Sequence, residues 1–482
     1  MDQNSTPLFS AMKAYREKNV VPFDVPGHKH GVGLSEYTNY FGEAMMELDV
    51  NSMKPLDFLG NPISVIKESE ELLAEAFGAD RGYFIVGGTS FAVQAMIMTT
   101  VNSGDKIILP RNVHKSAINA LILSGALPVY ISPELDEEMG VSHNFTLENL
   151  KKAYTQHPDA KAVLIINPTY YGATCDLKSI VDYCHEKDMY ALVDEAHGTH
   201  FHFHESFPIS GMQAGADMSS VSLHKTGGSL TQSSALLVNT KRIDGQYVRK
   251  VINLMQTTSP SYLLMGSLDV ARKMLSTKGH EIFTNIIEIS NYARDAINQI
   301  PGCYSIGSEK KGSDGIFGFD PTKLSITTRD MGLNGMELYD ILRDEYNIQM
   351  ETGDVYNSLA IISVGDSYQS VDKLIKALKD ISSKHHKPRV SYKKIDLHYP
   401  EVILTPRRAF YATKEMVLLD DALGRISGES IMSYPPGIPV VSYGEKINES
   451  VIIQIKLFKA SHGIITGMED PDANHILVIK NK

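Results

Sequence analysis

The apolar and polar positions divide the chain into stretches of different texture. Residues 7–18 carry a helical pattern, and a loop with two glycines and a proline follows at Val25-Pro26-Gly27-His28-Lys29-His30-Gly31. Across residues 67–77 the apolar Leu72, Leu73, Ala76 and Phe77 recur at helical spacing, and Gly78 stands just past the end, where a left-handed residue closes a helix. From about residue 80, short apolar runs alternate with amphipathic stretches. The runs predict strands at 82–86, 106–109, 127–131, 162–166, 190–193, 218–222 and 235–239; the stretches predict helices at 91–101, 115–124, 147–156 and 177–187. Such alternation marks an α/β architecture with a mostly parallel sheet, whose strand carboxyl ends are where ligands bind.

Residues 246–300 read as helical, most clearly at 262–275, and a strand at 359–364 precedes a helix at 371–382. The polar, basic, proline-containing run 383–389 predicts a linker. Beyond it come short β-like segments at 451–455 and 476–479 and a proline-rich loop at 434–439. The expected organisation is an N-terminal segment 1–75, a large domain 76–290, a small α/β region 291–384 and a C-terminal α+β domain 385–482.

Composition narrows the function. The 482 residues suit about three domains. Hydrophobic residues at 43% and charged residues at 21% supply a core, which excludes a disordered chain or a collagen-like fibre. Lys and Arg number 46 against 57 Asp and Glu, a net charge of −11 that argues against a nucleic-acid partner and tolerates a cationic substrate. Cys175, Cys184 and Cys303 are too few and too scattered for a disulfide framework, which fits a reducing compartment. Met1-Asp2-Gln3-Asn4-Ser5 has no secretory character, and no apolar run approaches the ~20 residues of a membrane span. A soluble, cytoplasmic protein without a membrane partner is expected.

Three clusters follow predicted strands. Gly87-Gly88-Thr89-Ser90 opens a helix, where backbone N–H groups and two hydroxyls suit a phosphate, although Ser and Thr also cap helices without any ligand. Asp194 in Val193-Asp194-Glu195-Ala196-His197-Gly198 suits a metal, a proton or a protonated heterocyclic nitrogen, against the plainer reading of a helix-start acid. Lys225 in Ser222-Leu223-His224-Lys225-Thr226-Gly227-Gly228 lies between an apolar strand and paired glycines, where a lysine is unusual unless used. A neutral lysine amine can form a Schiff base. Together, a phosphate cradle, a strand-end Asp and a later Ser-x-His-Lys suit pyridoxal 5′-phosphate (PLP): lysine for the aldehyde, Asp for the ring N–H, hydroxyls for the phosphate.

With these residues in view, the chain resembles the fold-type-I PLP enzymes, and among them the ornithine/lysine/arginine decarboxylase family in its shorter bacterial form. The likeness runs nearly end to end: Pro26-Gly27-His28-Lys29, Gly88-Thr89-Ser90, Arg111 to Ser116, Asn167-Pro168-Thr169-Tyr170, Asp194 to Gly198, Ser222 to Lys225, Thr257-Thr258-Ser259-Pro260 and Tyr434-Pro435-Pro436-Gly437. The resemblance implies an aminotransferase-like fold with a mostly parallel sheet in a large domain and a smaller C-terminal part. It implies Lys225 as the cofactor lysine, Asp194 as partner of the ring nitrogen, His114 stacked on the ring and Ala196 beneath it. Gly88, Thr89, Ser90, Ser222 and His224 would serve the phosphate. Thr257 and Thr258 would reach the phosphate of a neighbouring subunit, so a homodimer or a higher homo-oligomer with shared sites is expected. Larger members carry Trp at the position of His197, which the resemblance places against the cofactor; this chain has no Trp, so that contact differs here.

The implied reaction is α-decarboxylation of a basic amino acid, with Lys225, Asp194, His224 and His114 as the catalytic set and either His as proton donor to Cα. Glu351 matches the family glutamate that takes the substrate's distal cation, and Asp354 is a second nearby acid. Paired acids suit the planar fork of a guanidinium, and the short Gram-positive-type members most like this chain are taken to be arginine decarboxylases, so arginine is expected ahead of lysine or ornithine. An aminotransferase is the alternative among PLP enzymes. Outside them stands a metal-binding protein built on His197, His200, His202 and His204, the last three of which alternate, so that a strand would present those three on one face. Dispersed cysteines and the lack of a CxxC spacing make a loop or partly buried His cluster the better expectation, with no metal.

Overall fold

The computed structural model describes residues 1–136, 138–313, 315–390, 399–434, 438–460 and 464–480. Pro435, Pro436 and Gly437 of the proline-rich motif lie outside the described residues. The chain forms two compact units, one of residues 1–99 and 192–284 and the other of residues 100–191 and 285–482. Seven strands follow the predicted apolar runs: β1 (Arg81–Ile85), β2 (Lys106–Pro110), β3 (Leu127–Ile131), β4 (Ala160–Ile166), β5 (Tyr190–Glu195), β6 (Met218–Val221) and β7 (Ser234–Val238).

In the first unit the strand order is β1-β7-β6-β5. β1 and β6 both run antiparallel to β7, whereas β5 and β6 are parallel, with Asp194 opposite Ser220 and Glu195 opposite Val221. β7 is buried along its whole length, as expected of a strand covered on both faces. Helix Pro7–Glu17 buries Leu8 and Met12. The loop before helix Val65–Ala76 is gathered by Asp57, whose carboxylate accepts from the backbone N–H groups of Phe58, Ile63, Ser64 and Ile66. Arg272, on the 37-residue helix Tyr262–Asn298, is fully buried; it pairs with Asp269 and donates to the carbonyls of Gln3 and Ser5 at 2.8 and 2.6 Å.

In the second unit β4-β2-β3 are parallel neighbours. Parallel ladders outnumber antiparallel ones among the pairs just described, as the alternating texture predicts. A smaller antiparallel sheet contains β8 (Tyr304–Ser305), β9 (Lys323–Thr327), β10 (Thr352–Gly353) and β11 (Asn357–Ile361), in the order β8-β9-β11-β10. Helix Tyr368–Lys384 ends where the polar run begins, and residues 385–390 have no regular structure.

The C-terminal part has its own apolar core, including Ile431, Val441, Ile447, Val451, Ile455, Ile476 and Val478. Its expected strand at 451–455 is instead part of helix Glu449–Ala460. The β-branched run suggested a strand. The Asn448 side chain accepts from Val451 N–H at 3.0 Å, starting a helix, and Val451 and Ile455, four apart, face the core together. Arg111, just beyond β2, meets Glu445 in a buried two-pronged ion pair. Among the described residues no helix is long and apolar enough to cross a membrane.

Candidate active site

β1 ends at Ile85, and Gly88 begins helix Gly88–Thr100 with φ +71°, a conformation that would strain a residue with a Cβ. Thr89 is buried and its hydroxyl lies 2.7 Å from that of Ser222, across 133 residues of sequence. Ser90 is exposed beside it. Two hydroxyls and the first N–H groups of a 13-residue helix therefore share one place, the composition of an anion cradle.

Asp194 lies at the carboxyl end of β5 and is buried. Burial pushes its carboxyl above the ordinary carboxylate range; the Ala196 N–H, at 3.1 Å, and the charge of Lys225 pull it back. Glu195, next along, points into different company: it accepts from Ser219 Oγ at 2.5 Å and Gly211 N–H at 2.8 Å.

Lys225 sits in the helical turn Leu223–Thr226 that follows β6, and is half-buried rather than solvated. Its Nζ lies 2.9 Å from Nε2 of the buried His197. The ring of His224 donates from Nδ1 to the Ser233 carbonyl at 2.9 Å. The histidine tract is no strand. Residues Phe201–Phe203 form a 3₁₀ turn, the buried His200 contacts Thr226 at 3.2 Å, and the half-buried His202 faces Ser210. Thr257, Thr258 and Ser259 are exposed past the end of helix Gly245–Met255.

The second unit carries the remaining candidates. His114 caps helix Lys115–Ser124, its Nδ1 accepting from Ser116 N–H at 3.3 Å, with the Ser116 hydroxyl at 2.9 Å. Glu351 is exposed and accepts from the Tyr170 hydroxyl at 2.8 Å. Asp354 is placed differently. Tyr171 O–H and the N–H groups of Tyr356 and Asn357 all donate to it, holding a turn, and burial raises its carboxyl. Sequence reasoning gave Tyr170 no role. Its motif was visible, but its partner lies 181 residues away.

These residues fit PLP. A buried strand-end carboxylate, with burial opposing its charge, would be stabilised by a protonated ring nitrogen; a half-buried lysine in the turn after the neighbouring strand β6 would supply the amine; paired hydroxyls at a helix start suit the phosphate.

The comparisons with known proteins agree. The family model "Orn/Lys/Arg decarboxylase, major domain" matches residues 6–370, and that family's C-terminal domain matches 390–468. An arginine decarboxylase of Bacillus subtilis is 45% identical over all of this chain and 99% of its own, and one of Halalkalibacterium halodurans is 45% identical over 99% and 98%. The lysine decarboxylase LdcF of Francisella novicida superposes with a TM-score of 0.85 at 22% identity, over 98% of this chain and 81% of that one. An alanine–glyoxylate aminotransferase from Nostoc sp. shares the fold more loosely, with a TM-score of 0.53 at 19% identity over 66% of this chain and 86% of that one. With both of its parts matched by one family's models and close relatives along its whole length, the chain belongs to the Orn/Lys/Arg decarboxylase family of PLP-dependent enzymes.

Proposed function

We propose that this protein removes the α-carboxylate of L-arginine as CO₂ and releases agmatine, with PLP carried on Lys225. The observation that carries the arginine assignment is the 42–45% identity, over nearly the full chain, to four curated relatives named arginine decarboxylase. PLP, when bound, supplies an electron-poor ring that takes up the electron pair left on Cα as the C–CO₂ bond breaks.

The side chains divide the remaining work. Asp194 holds the proton on the ring nitrogen, because its buried carboxylate gains most from a cationic partner. Thr89, Ser90, Ser222 and the N–H groups from Gly88 onward hold the phosphate. His197, whose Nε2 lies 2.9 Å from Nζ of Lys225, orients that side chain. The proton that reaches Cα comes from an imidazolium, which returns to neutral imidazole on giving it up. His114 turns Nδ1 to Ser116 and His224 turns Nδ1 to the Ser233 carbonyl, so in either ring the Nε2 proton of the imidazolium is the one left to donate. Glu351, steadied by Tyr170, takes the guanidinium; Asp354, committed to its turn, supports that loop.

We propose further that the enzyme works as a cytoplasmic homodimer. The N-terminal segment exposes Phe23 at 93% and Tyr40 at 85%, apolar surface that a second copy would cover, and the exposed Thr257 and Thr258 suit a phosphate on that copy. The three cysteines are buried, in keeping with a reducing compartment.

The test incubates purified protein and PLP separately with arginine, lysine and ornithine and identifies the products. Agmatine with stoichiometric CO₂ is expected from arginine. Cadaverine or putrescine as the main product would overturn the substrate, and a keto acid without CO₂ would overturn decarboxylation. Lys225→Ala is expected to lose both the PLP absorbance band and turnover.

A further inference from the structure

The histidine tract leaves one member unexplained. His200 and His202 turn to Thr226 and Ser210, and His197 to Lys225, whereas His204 turns to a helix far away in sequence. There its ring stacks on that of His280, with centroids 4.5 Å apart and planes 26° from parallel. Glu205 Oε2 lies 3.2 Å from His280 Nε2. One ligand atom from each of His204, Glu205 and His280 falls within 4.8 Å of the others.

We propose that these three residues bind a single divalent first-row transition cation of the zinc or nickel class. Two imidazole nitrogens and one carboxylate oxygen are a borderline donor set; magnesium and calcium prefer six or more oxygens. Ligands at about 2.0–2.2 Å from a tetrahedral ion stand about 3.4 Å apart, close to the observed spacing of Glu205 and His280. His204 has to close by at most about 1.4 Å, and the side chains it meets, at 76% and 68% exposure, are free to turn towards it.

The surroundings hold the rings for this purpose. Ser206 N–H donates to His204 Nδ1 at 3.1 Å, and Nε2 lies 3.1 Å from the Thr284 hydroxyl, which itself donates to the His280 carbonyl at 2.8 Å. Thr284 thus ties His204 to the helical turn that carries His280, as an outer-shell partner orients a metal-bound imidazole. The ion replaces one of the two bonds on His204, and the group released turns to water, since Ser206 is exposed. Water completes the coordination. None of the three residues is among those assigned to PLP or arginine.

The experiment uses the full chain without an affinity tag, loaded with PLP and freed of metal by chelation, and titrates it with zinc chloride by calorimetry. Cobalt(II) replaces zinc in a parallel absorption titration. Wild type is expected to bind one equivalent more than His280→Ala, with tetrahedral cobalt bands that His280→Ala lacks. Glu205→Gln, a milder change on an exposed side chain, is expected to weaken that equivalent at least tenfold. Both variants should keep wild-type turnover, since neither residue belongs to the proposed active site. Equal zinc stoichiometry and affinity in wild type and His280→Ala would overturn the site, as would wild type that binds no equivalent at micromolar zinc.

Discussion

Replacing Arg111 by alanine tests how the C-terminal part is fastened to the strand end that leads to His114. The side chains of Arg111 and Glu445 are 2% and 1% exposed. Both guanidinium prongs reach the carboxylate, and Nη2 also donates to the Val440 carbonyl at 3.3 Å. The guanidinium lies over the rings of Tyr130 and Tyr399, 4.8 and 5.8 Å from their centroids. Once Arg111 is gone, the only other described hydrogen bond to the Glu445 carboxylate is from Ser442 N–H, at 2.7 Å. A buried charge left so poorly matched costs about 3–5 kcal/mol. Replacing both members by methionine removes the unmatched charge as well as the pair, so Arg111→Met with Glu445→Met should cost less than Arg111→Ala alone. The assay is denaturant unfolding followed by hydrogen exchange of strand Ile438–Val441, which reports the C-terminal part directly. An Arg111→Ala loss under about 1 kcal/mol, or a double variant less stable than Arg111→Ala, would refute the reasoning.

Three further outcomes follow. Asp194→Asn should leave the PLP-free protein at least as stable as wild type at pH 7 while abolishing turnover; burial raises this carboxyl, so its ionised form opposes folding above its folded pKa, and the difference should vanish on acidification. Thermal melts of PLP-free protein from pH 7 down to pH 4 measure it, and a less stable variant at pH 7 would count against the assignment. Tyr170→Phe removes one hydrogen bond worth about 0.5–1.5 kcal/mol from Glu351, so KM for arginine should rise roughly two- to tenfold with kcat nearly unchanged; a fall in kcat alone would place Tyr170 elsewhere. Burial pushes the Asp57 carboxyl up, but the N–H groups of Ile63, Ser64, Phe58 and Ile66 outweigh it and hold the pKa below the ordinary value. Its contribution is full above the ordinary carboxylate pKa and is lost as pH falls through the lowered one. Asp57→Asn should therefore flatten the acid limb of the stability profile, and an unchanged limb would show that Asp57 holds nothing.

The sequence was most legible where physics is local. Helices Lys115–Ser124 and Leu147–Gln156 and strand Leu127–Ile131 have the predicted bounds, because a cap or turn residue ends each apolar pattern. The helix at Glu449–Ala460 was not legible: its run of isoleucine and valine has strand propensity, and only packing on the C-terminal core decides otherwise. Two-residue strands such as Tyr304–Ser305 leave no periodicity to detect. At the candidate site, Asp194 and Lys225 stood out because a charged residue after an apolar run is conspicuous. The contacts of Tyr170 with Glu351 and of Thr89 with Ser222 needed the fold, as did the commitment of Asp354 to a turn. The histidine tract was visible as a cluster, but the 3₁₀ turn that sends its members in different directions was not.

The guanidinium of Arg272 sets an order of events during synthesis. Its hydrogen-bond acceptors include the carbonyls of Gln3 and Ser5, and the ribosome makes those residues 269 and 267 positions earlier. Residues 3 and 5 of the nascent chain must therefore wait until the long helix emerges before these hydrogen bonds can form. At translation speeds of about 5–20 residues per second that delay is tens of seconds, during which apolar faces such as that of Leu8 and Met12 lack their final cover. A cell that makes this enzyme quickly would gain from a chaperone that shields the face of Leu8 and Met12 until those hydrogen bonds form.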